Sequence, residues 1–356
     1  MRAGSKSGSI QSLVAASFHA FIIFLLAACG SPAHSPPEKA LRLYVTNEGS
    51  GDLSIVDPQA RRETSRIRLG KRPRGIAPSP DGRLLYIALS GSPAAGPGID
   101  ESALLPADKA ADGVAVFDIA SGRVLRVLRG VSDPEQVAVS SDGRRLYVAS
   151  EDTGRLAVLD SRQGGVLASL DVGGEPEGVA VSPDGRTILV TSEEANSLVV
   201  VDAAGPRVRA RVPVGERPRN AAFSRDGRRA FVPGENDGSI TAVDLASARV
   251  AGRARIEGEN SRPMGIVQSR DGAALFVSTG RGRRLIRLDA ATLRTSGSAE
   301  VGDRPWGVAL SPDGRFAFTA NGPSNDVAVV DTATMRVVAR IPVGNRPWGL
   351  AAVVEP

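Results

Sequence analysis

Seven copies of one short motif differ mainly in a single residue, and the type of that residue sets the chemistry of each copy. It follows a proline and usually precedes a glycine, and its seven versions are Arg74, Glu135, Glu177, Arg219, Met264, Trp306 and Trp348. Clustered carboxylates are ligands for a hard cation such as Ca²⁺. Arginine and tryptophan are enriched at the energetic centres of binding interfaces. We therefore expect a ligand site where the seven copies meet.

The acidic copies belong to a larger group of carboxylates on two neighbouring repeats. This group contains Asp133, Glu135, Glu151, Asp152, Glu175, Glu177, Glu193 and Glu194. Because Ca²⁺ takes about six to eight oxygen ligands, a bound Ca²⁺ stays open as an alternative. The nearby arginines favour another interpretation, in which exposed carboxylates form solvated ion pairs of small net energy. They are Arg72, Arg74, Arg217 and Arg219. We therefore expect no metal and no cofactor at this cluster.

The two tryptophans, Trp306 and Trp348, are the only ones in the chain and occur in the same phrase, Arg-Pro-Trp-Gly. Arg304, Arg346 and Arg72 stand before the prolines of their motifs, so this arc of the ring is aromatic and cationic. One interpretation is that the tryptophans fill a channel or pack where the ring closes. The other is direct contact with a ligand or partner. The candidate binding residues are Trp306, Trp348, Arg74, Arg219, Glu135, Glu177, Glu151 and Glu193.

Histidine and cysteine are nearly missing from the sequence. The single cysteine is Cys29, and the two histidines are His19 and His34. A Ser-His-Asp triad, a histidine zinc site and a histidine-ligated haem are therefore excluded from residue 42 onward, and we expect no catalytic residue. The formal charge is +5, but basic and acidic residues alternate. Without a concentrated basic stripe, we expect no nucleic-acid partner.

The first residues differ in composition from the rest of the chain. Arg2 and Lys6 precede an apolar run that ends in Leu-Ala-Ala-Cys at Cys29, so residues 1–28 are predicted to be a signal peptide. The run is short for a membrane span. Its end resembles the lipobox of bacterial lipoproteins, which implies lipidation of Cys29, although an ordinary secretory signal with a chance cysteine stays open. Residues 29–41 would then form a flexible tether to the membrane. We expect a lipid-anchored protein of the periplasm, most simply at the outer membrane, or of the cell surface.

An Asp-Gly pair repeats along the chain with a period of about 42 residues and one insertion. The pairs begin at Asp81, Asp142, Asp184, Asp226, Asp271 and Asp313. Each unit contains four short apolar or mixed runs, and such units are typical of the blades of an all-β propeller. The second-strand phrase occurs seven times, which predicts seven blades. Because the chain begins on a second strand and ends on a first strand, the C-terminal strand is predicted to complete blade 1 and close the ring.

The phrase Tyr44-Val-Thr-Asn47 and the repeats that follow resemble the YVTN family of bacterial β-propellers over residues 42–356. The repeats are similar to a subgroup associated with quinone-cofactor-dependent alcohol catabolism. An insertion at about residues 91–113 departs from that pattern, and it is either a solvated loop or a cover for the channel mouth.

The resemblance leads to two expectations for function. The first is a noncatalytic propeller that binds a protein partner or small ligand on its Trp/Arg/Glu face, accessory to a quinoprotein redox or transport system. The alternative is an enzyme, either a Ca²⁺-dependent lactone hydrolase or a quinoprotein-like subunit. The lack of a histidine base favours the first.

Overall fold

The computed structural model describes residues 40–93, 104–258 and 260–355. These residues form seven antiparallel sheets of four strands each. The predicted all-β, seven-bladed propeller is thus confirmed. Two short 3₁₀ helices, Lys109–Ala111 and Glu151–Thr153, are the helical segments of the described residues. In this part of the chain, no helix is long and apolar enough to cross a bilayer.

Each blade is one sheet, with its strands ordered from the innermost to the outermost. Blade 1 contains β28 (Pro347–Val354), β1 (Leu41–Asn47), β2 (Asp52–Asp57) and β3 (Arg62–Arg68). Blade 2 contains β4 (Pro73–Pro78), β5 (Leu84–Leu89), β6 (Gly113–Asp118) and β7 (Arg123–Leu128). Blade 3 contains β8 (Pro134–Val139), β9 (Arg145–Ser150), β10 (Arg155–Asp160) and β11 (Val166–Asp171). Blade 4 contains β12 (Pro176–Val181), β13 (Thr187–Ser192), β14 (Ser197–Asp202) and β15 (Arg207–Pro213).

The remaining blades follow the same order. Blade 5 contains β16 (Ala222–Phe223), β17 (Arg229–Gly234), β18 (Ser239–Asp244) and β19 (Arg249–Arg255). Blade 6 contains β20 (Pro263–Gln268), β21 (Ala274–Thr279), β22 (Arg284–Asp289) and β23 (Thr295–Glu300). Blade 7 contains β24 (Pro305–Leu310), β25 (Phe316–Asn321), β26 (Asp326–Asp331) and β27 (Arg336–Pro342).

Blade 1 joins the two ends of the chain, which confirms the predicted closure. Strand β28 pairs with β1 in antiparallel register, with Leu43 opposite Ala352. The Tyr44 hydroxyl donates to the Glu355 carboxylate at 2.8 Å, which ties residues 311 positions apart. Closure in this way gives blade 1 the same four strands as the other six blades.

The repeated turn between first and second strands has a defined hydrogen-bond pattern. Ser79 Oγ donates to Asp81 Oδ1 at 2.6 Å, and the same oxygen accepts from the Arg83 amide at 3.2 Å. Gly82 then adopts φ +69°, a conformation that costs little only without a Cβ. The same Ser-to-Asp bond recurs at Ser140, Ser182, Ser224, Ser269 and Ser311. This pattern explains why the Asp-Gly pair marks the repeat.

The inner strands pack closely around the channel. A Cβ at Gly307 would lie 2.7 Å from the Trp348 carbonyl oxygen, and one at Gly349 would lie 2.6 Å from that of Arg74. Blade 5 has Asn220 where most blades have this glycine, and its inner strand β16 is reduced to Ala222–Phe223. At Gly307 and Gly349 the motif glycine is therefore a packing requirement, whereas blade 3 has Gln136 at this position and a full inner strand β8.

Apolar side chains fill the spaces between neighbouring blades. Between blades 7 and 1, Leu43, Val45, Phe318 and Val329 belong to one buried cluster. Full burial of one such side chain contributes about 1.5–3 kcal/mol. Because similar clusters repeat around the ring, the blades hold the central side chains in fixed positions.

Candidate functional site

The residue before each inner-strand proline lies in the left-handed region of φ. The seven residues are Arg72, Asp133, Glu175, Arg217, Arg262, Arg304 and Arg346, with φ between 36° and 55°. This conformation is unfavourable for a residue with a side chain, and more so before proline. All seven side chains are charged, and all line one cavity. Strained backbone is therefore concentrated at the rim of that cavity, as is common at ligand sites.

This outer cavity has a volume of about 970 Å³ and occupies the face that carries the proline motifs. Of the eight predicted binding residues, seven line it: Trp306, Trp348, Arg74, Arg219, Glu135, Glu177 and Glu151. Glu193 is not part of its lining and lies behind Arg219. The charges are unequally distributed, since most of the acidic side chains come from blades 3 and 4 whereas arginines dominate blades 6, 7 and 1.

Arg74 is the centre of one buried cluster of charges. Its guanidinium lies 3.3 Å from Glu48, 3.5 Å from Glu151 and 3.8 Å from Asp133, and it contacts Glu135 directly. Arg74 is 8% exposed and Glu135 is 2% exposed. Burial alone would lower the pKa of Arg74, but the carboxylates around it, led by Glu48, raise that pKa.

Arg219 is the centre of a second buried cluster, on the far side of the acidic blades. It contacts Glu177 and Glu193, and its Nε lies 2.7 Å from Glu235. Arg217 reinforces the cluster through Glu193 at 2.6 Å. The expectation of exposed, solvated ion pairs is therefore wrong for both arginines. Side chains of the inner strands point at the channel, where neighbouring blades cover them.

Two glutamates in these clusters bind their protons unusually tightly. Burial, together with the negative charge of Glu177, raises the pKa of Glu151 to about 8 and that of Glu193 to about 9. Glu193 is also hydrogen-bonded to Glu177. Burial would raise the pKa of Glu235 as well, but the adjacent Arg219 guanidinium holds it below its usual range. The site therefore holds acidic and ionised carboxyl groups side by side at neutral pH.

The two tryptophans form a pair at the junction of blades 7 and 1. Their ring centroids are 5.2 Å apart, and the planes meet at 66°. The guanidinium groups of Arg219 and Arg304 lie 5.2 Å and 5.3 Å from the Trp306 centroid, within cation–π range. Both tryptophans line the cavity. The pair thus packs where the ring closes and also presents its rings to the cavity, so the two sequence interpretations are not exclusive.

Two residues of the site escaped the sequence analysis. Glu48 contacts Arg72 at 2.9 Å, Arg74 at 3.3 Å and Arg346 at 3.9 Å, and Glu235 contacts Arg219. Both directly follow a second strand, the position that Glu151 and Glu193 also occupy. Alignment of the repeats at this position would have revealed them.

Three carboxylates meet the distance requirement for a metal ion. Asp133, Glu135 and Glu151 offer oxygen atoms that lie within 4.8 Å of one another. Arg74 contacts all three, however, and supplies the positive charge that a cation would bring. Three carboxylates around a guanidinium are a poor match for the six to eight or so oxygen ligands of Ca²⁺. The donor set therefore fits Arg74 better than a divalent ion.

The segment that joins β5 to β6 reaches over this face, and residues 94–103 of the predicted insertion lie outside the described residues. Arg72 donates to the carbonyls of Ser92 at 2.6 Å and Pro93 at 3.0 Å. Lys109 contacts Asp152 of blade 3. Leu104 and Leu105 line the outer cavity. The described part of the segment is thus attached to the cavity wall by polar contacts on two sides. Cys29 and nearly all of residues 1–41 also lie outside the described residues.

Two family models match parts of the chain. "Cytochrome D1 heme domain" matches residues 106–219, and "Lactonase, 7-bladed beta-propeller" matches residues 179–339. The lactonase match includes Glu193, Arg219, Glu235 and Trp306, whereas Arg74, Glu151 and Glu177 lie outside it. This match contradicts the expectation of a noncatalytic binding propeller. No curated protein matches the sequence.

Solved structures share the fold at low identity. The periplasmic gluconolactonase of Pseudomonas aeruginosa is 23% identical, with a TM-score of 0.71 over 89% of this chain and 99% of that one. A candidate 6-phosphogluconolactonase from Bacteroides uniformis is 18% identical, with a TM-score of 0.70 over 88% and 100%. Dihydro-heme d1 dehydrogenase NirN is 19% identical, with a TM-score of 0.63 over 90% and 77%.

The expectation of a noncatalytic propeller accessory to a quinoprotein or transport system is therefore wrong. The lactonase match supports the enzyme that the sequence left as its alternative. The gluconolactonase structures share the fold. The lack of histidine does not exclude a general base. A buried carboxyl group with a raised pKa can perform acid–base chemistry without histidine.

Proposed function

We propose that the protein hydrolyses a lactone in the outer cavity. The observation that supports this most directly is the neighbourhood of Glu177, where an ionisable carboxylate, a protonated carboxyl group and a buried guanidinium converge. Lactone hydrolysis needs a base for the attacking water, an acid for the leaving oxygen and a positive group at the carbonyl oxygen. The lactonase family match supports the same chemistry.

In this mechanism each group has one role. Glu177 takes a proton from water as the water oxygen bonds to the carbonyl carbon, and Arg219 stabilises the negative charge on the carbonyl oxygen. The bond from the carbonyl carbon to the ring oxygen then breaks, and the ring oxygen takes the proton of Glu151. The product is an open-chain hydroxy acid. Return of the proton from Glu177 to Glu151 restores the site, so one water molecule is the only co-reactant.

Charged neighbours hold these groups in place. Glu193 and Glu235 contact Arg219, and Arg74 contacts Glu151 at 3.5 Å. We assign Glu193, Glu235 and Arg74 as positioning residues. No step of the mechanism uses a metal ion.

The direct test is hydrolysis of a panel of δ-lactones by the wild type and by the Glu177→Gln variant. The acid released is measured by pH-stat titration. We expect turnover by the wild type and a loss of about 100- to 10,000-fold in kcat in the variant. Glu257→Gln is the matched control, since Glu257 is exposed and outside the cavity lining. A wild type without activity on every lactone, or a Glu177→Gln variant with normal kcat, contradicts the proposal.

We also propose that this is a YVTN-type propeller lipoprotein that acts in the periplasm. The Leu-Ala-Ala-Cys sequence at Cys29 supports the proposal. Metabolic labelling with palmitate is expected to mark the wild type and not the Cys29→Ser variant, and the variant is expected to leave the membrane fraction. Equal membrane association of both proteins would contradict it.

A further inference from the structure

A second cavity of about 230 Å³ lies deeper in the channel than the outer cavity. We call it the inner cavity. Four residues line both cavities, namely Glu177, Arg219, Trp306 and Trp348. The two spaces therefore meet at the carboxylate and guanidinium to which the proposed function assigns the reaction.

The inner cavity differs in chemistry from the outer one. Beyond the four shared residues, its wall is made mainly by Ile76, Met264, Ile266, Val267, Val308 and Leu350. Gln136 and Asn220 are its only other polar side chains among the described residues. Charged rim residues such as Arg72 and Arg304 do not reach it. These six side chains offer a hydrocarbon group apolar contacts that the charged rim of the outer cavity does not.

The volume limits the size of that group. A cavity of about 150 Å³ lined by aliphatic and aromatic side chains accommodates benzene. By the same measure, the inner cavity has room for an aliphatic chain of about five to seven carbons.

From these observations we infer that the substrate is a lactone whose ring carries an alkyl substituent, and that the inner cavity binds this substituent. With the alkyl chain in the inner cavity, the carbonyl group remains beside Glu177 and Arg219. A polyhydroxylated sugar lactone has no hydrocarbon group to pack against these six apolar side chains. The inference rests on the proposed lactone hydrolysis and adds the substrate class.

Three substrates with the same six-membered ring test the inference in the full-length protein. They are δ-valerolactone, which has no substituent, δ-decalactone, which has a pentyl substituent, and glucono-δ-lactone, which is hydroxylated. We expect kcat/KM for δ-decalactone to exceed the other two values by at least about tenfold, mainly through KM. If δ-decalactone is no better than δ-valerolactone or glucono-δ-lactone, the inference is wrong while the hydrolase proposal stands.

Variants of Val308 locate the effect. Val308→Phe fills part of the inner cavity and is expected to lower the ratio of δ-decalactone to δ-valerolactone kcat/KM by about tenfold. Val308→Ala enlarges the cavity and is expected to move the preference towards a heptyl-substituted lactone. The matched control is Val338→Phe, a partly exposed position on the outer strand of the same blade. An unchanged ratio in both Val308 variants overturns the assignment of this cavity.

A binding measurement that involves no hydrolysis distinguishes the alkyl-binding inner cavity from the proposed lactone hydrolysis. The only two tryptophans both line the cavities, so their fluorescence reports on these sites. A hydrolysis-resistant δ-lactam with a pentyl substituent is expected to change the emission of the wild type, with at least about tenfold weaker binding to Val308→Phe. If no lactone is hydrolysed but this difference is observed, the function fails and the alkyl-binding cavity stands. No lactam-dependent change in the wild type overturns the inner-cavity assignment.

Discussion

The two buried arginines occupy the same place in their blades, yet their surroundings differ. Arg74 of blade 2 contacts carboxylates of blades 1 and 3, whereas Arg219 of blade 5 contacts carboxylates of blades 4 and 5. Together they bracket the acidic blades 3 and 4. Only Arg219 stacks on Trp306, and only Arg219 lines both cavities.

This difference teaches that one motif position serves two purposes. Around Arg74 the negative charge is in excess, so its guanidinium mainly holds carboxylates together. Arg219 lines the inner cavity and lies over the Trp306 ring, and it also forms ion pairs with Glu177, Glu193 and Glu235. A guanidinium fixed in this way can stabilise a developing oxyanion without reorganising. We therefore assign catalysis to Arg219 and positioning to Arg74.

The largest expected difference between the two clusters follows from exchanging each arginine for glutamine. Arg219→Gln is expected to lower kcat about 100- to 1000-fold because it removes the positive group at the carbonyl oxygen. Arg74→Gln is expected to stay within about tenfold of wild type. Both are expected to lose about 3–5 kcal/mol of unfolding free energy, since each leaves buried carboxylates without their cation. Steady-state kinetics well below the melting temperature, with urea unfolding, measure these quantities. Equal losses of kcat would remove the distinction between the two clusters.

The fold was predictable from the sequence because its signals are local and repeated. The Ser-x-Asp-Gly turn, the motif glycine and the offset of the first and last strands each correspond to a specific hydrogen bond, close contact or register. Seven blades and the closure by β28 follow from them. The shortened β16 was the exception. Asn220 replaces the motif glycine there, but blade 3 has Gln136 at the same position and keeps a full inner strand β8.

The site was predictable only in part. The proline motif indicated six of the residues that line the outer cavity, because its position in the blade is fixed. The sequence could not show that Arg74 and Arg219 are buried, since burial depends on side chains from three blades. It could not show the raised pKa values of Glu151 and Glu193 for the same reason, and these values are what make catalysis without histidine reasonable.

A second, smaller effect concerns the proton of Glu151, which lies between Arg74 and Glu177. Its pKa is raised to about 8, so the acid form is lost above this pH and kcat/KM is expected to fall. Glu151→Gln has no acidic proton, so its rate is expected to be about 100-fold lower and to lack this alkaline fall. A pH profile of kcat/KM from 5 to 10 or so tests both points, with Glu257→Gln as the control. An alkaline fall that persists in Glu151→Gln would assign the acid to another group.

The same proton also links stability to pH. A carboxyl group whose pKa is higher in the folded state stabilises the fold below its unfolded pKa, and this stabilisation is lost as pH rises through the folded pKa. The unfolding free energy is therefore expected to decrease between the ordinary value of 4.5 and about 8. The slope from this group is at most about 1.4 kcal/mol per pH unit. In Glu151→Gln, the unfolding free energy is expected to depend less on pH over this range. An unchanged dependence would contradict the raised pKa of Glu151.

The smallest expected effect tests whether Arg74 stands in for a cation. Asp133, Glu135 and Glu151 have oxygens within 4.8 Å of one another, and Arg74 neutralises them. Ca²⁺ is therefore expected to leave the melting temperature of the wild type unchanged. In Arg74→Gln the carboxylates lose their cation, so Ca²⁺ at about ten times its Kd is expected to stabilise the variant by about 1.4 kcal/mol, or about 2–4 °C. Arg219→Gln serves as the control, and it is expected to respond no more than wild type. If Ca²⁺ raises the melting temperature of the wild type itself, the Arg74 cluster binds metal even with Arg74 present. The comparison of the two arginines would then have to include a metal ion in the Arg74 cluster.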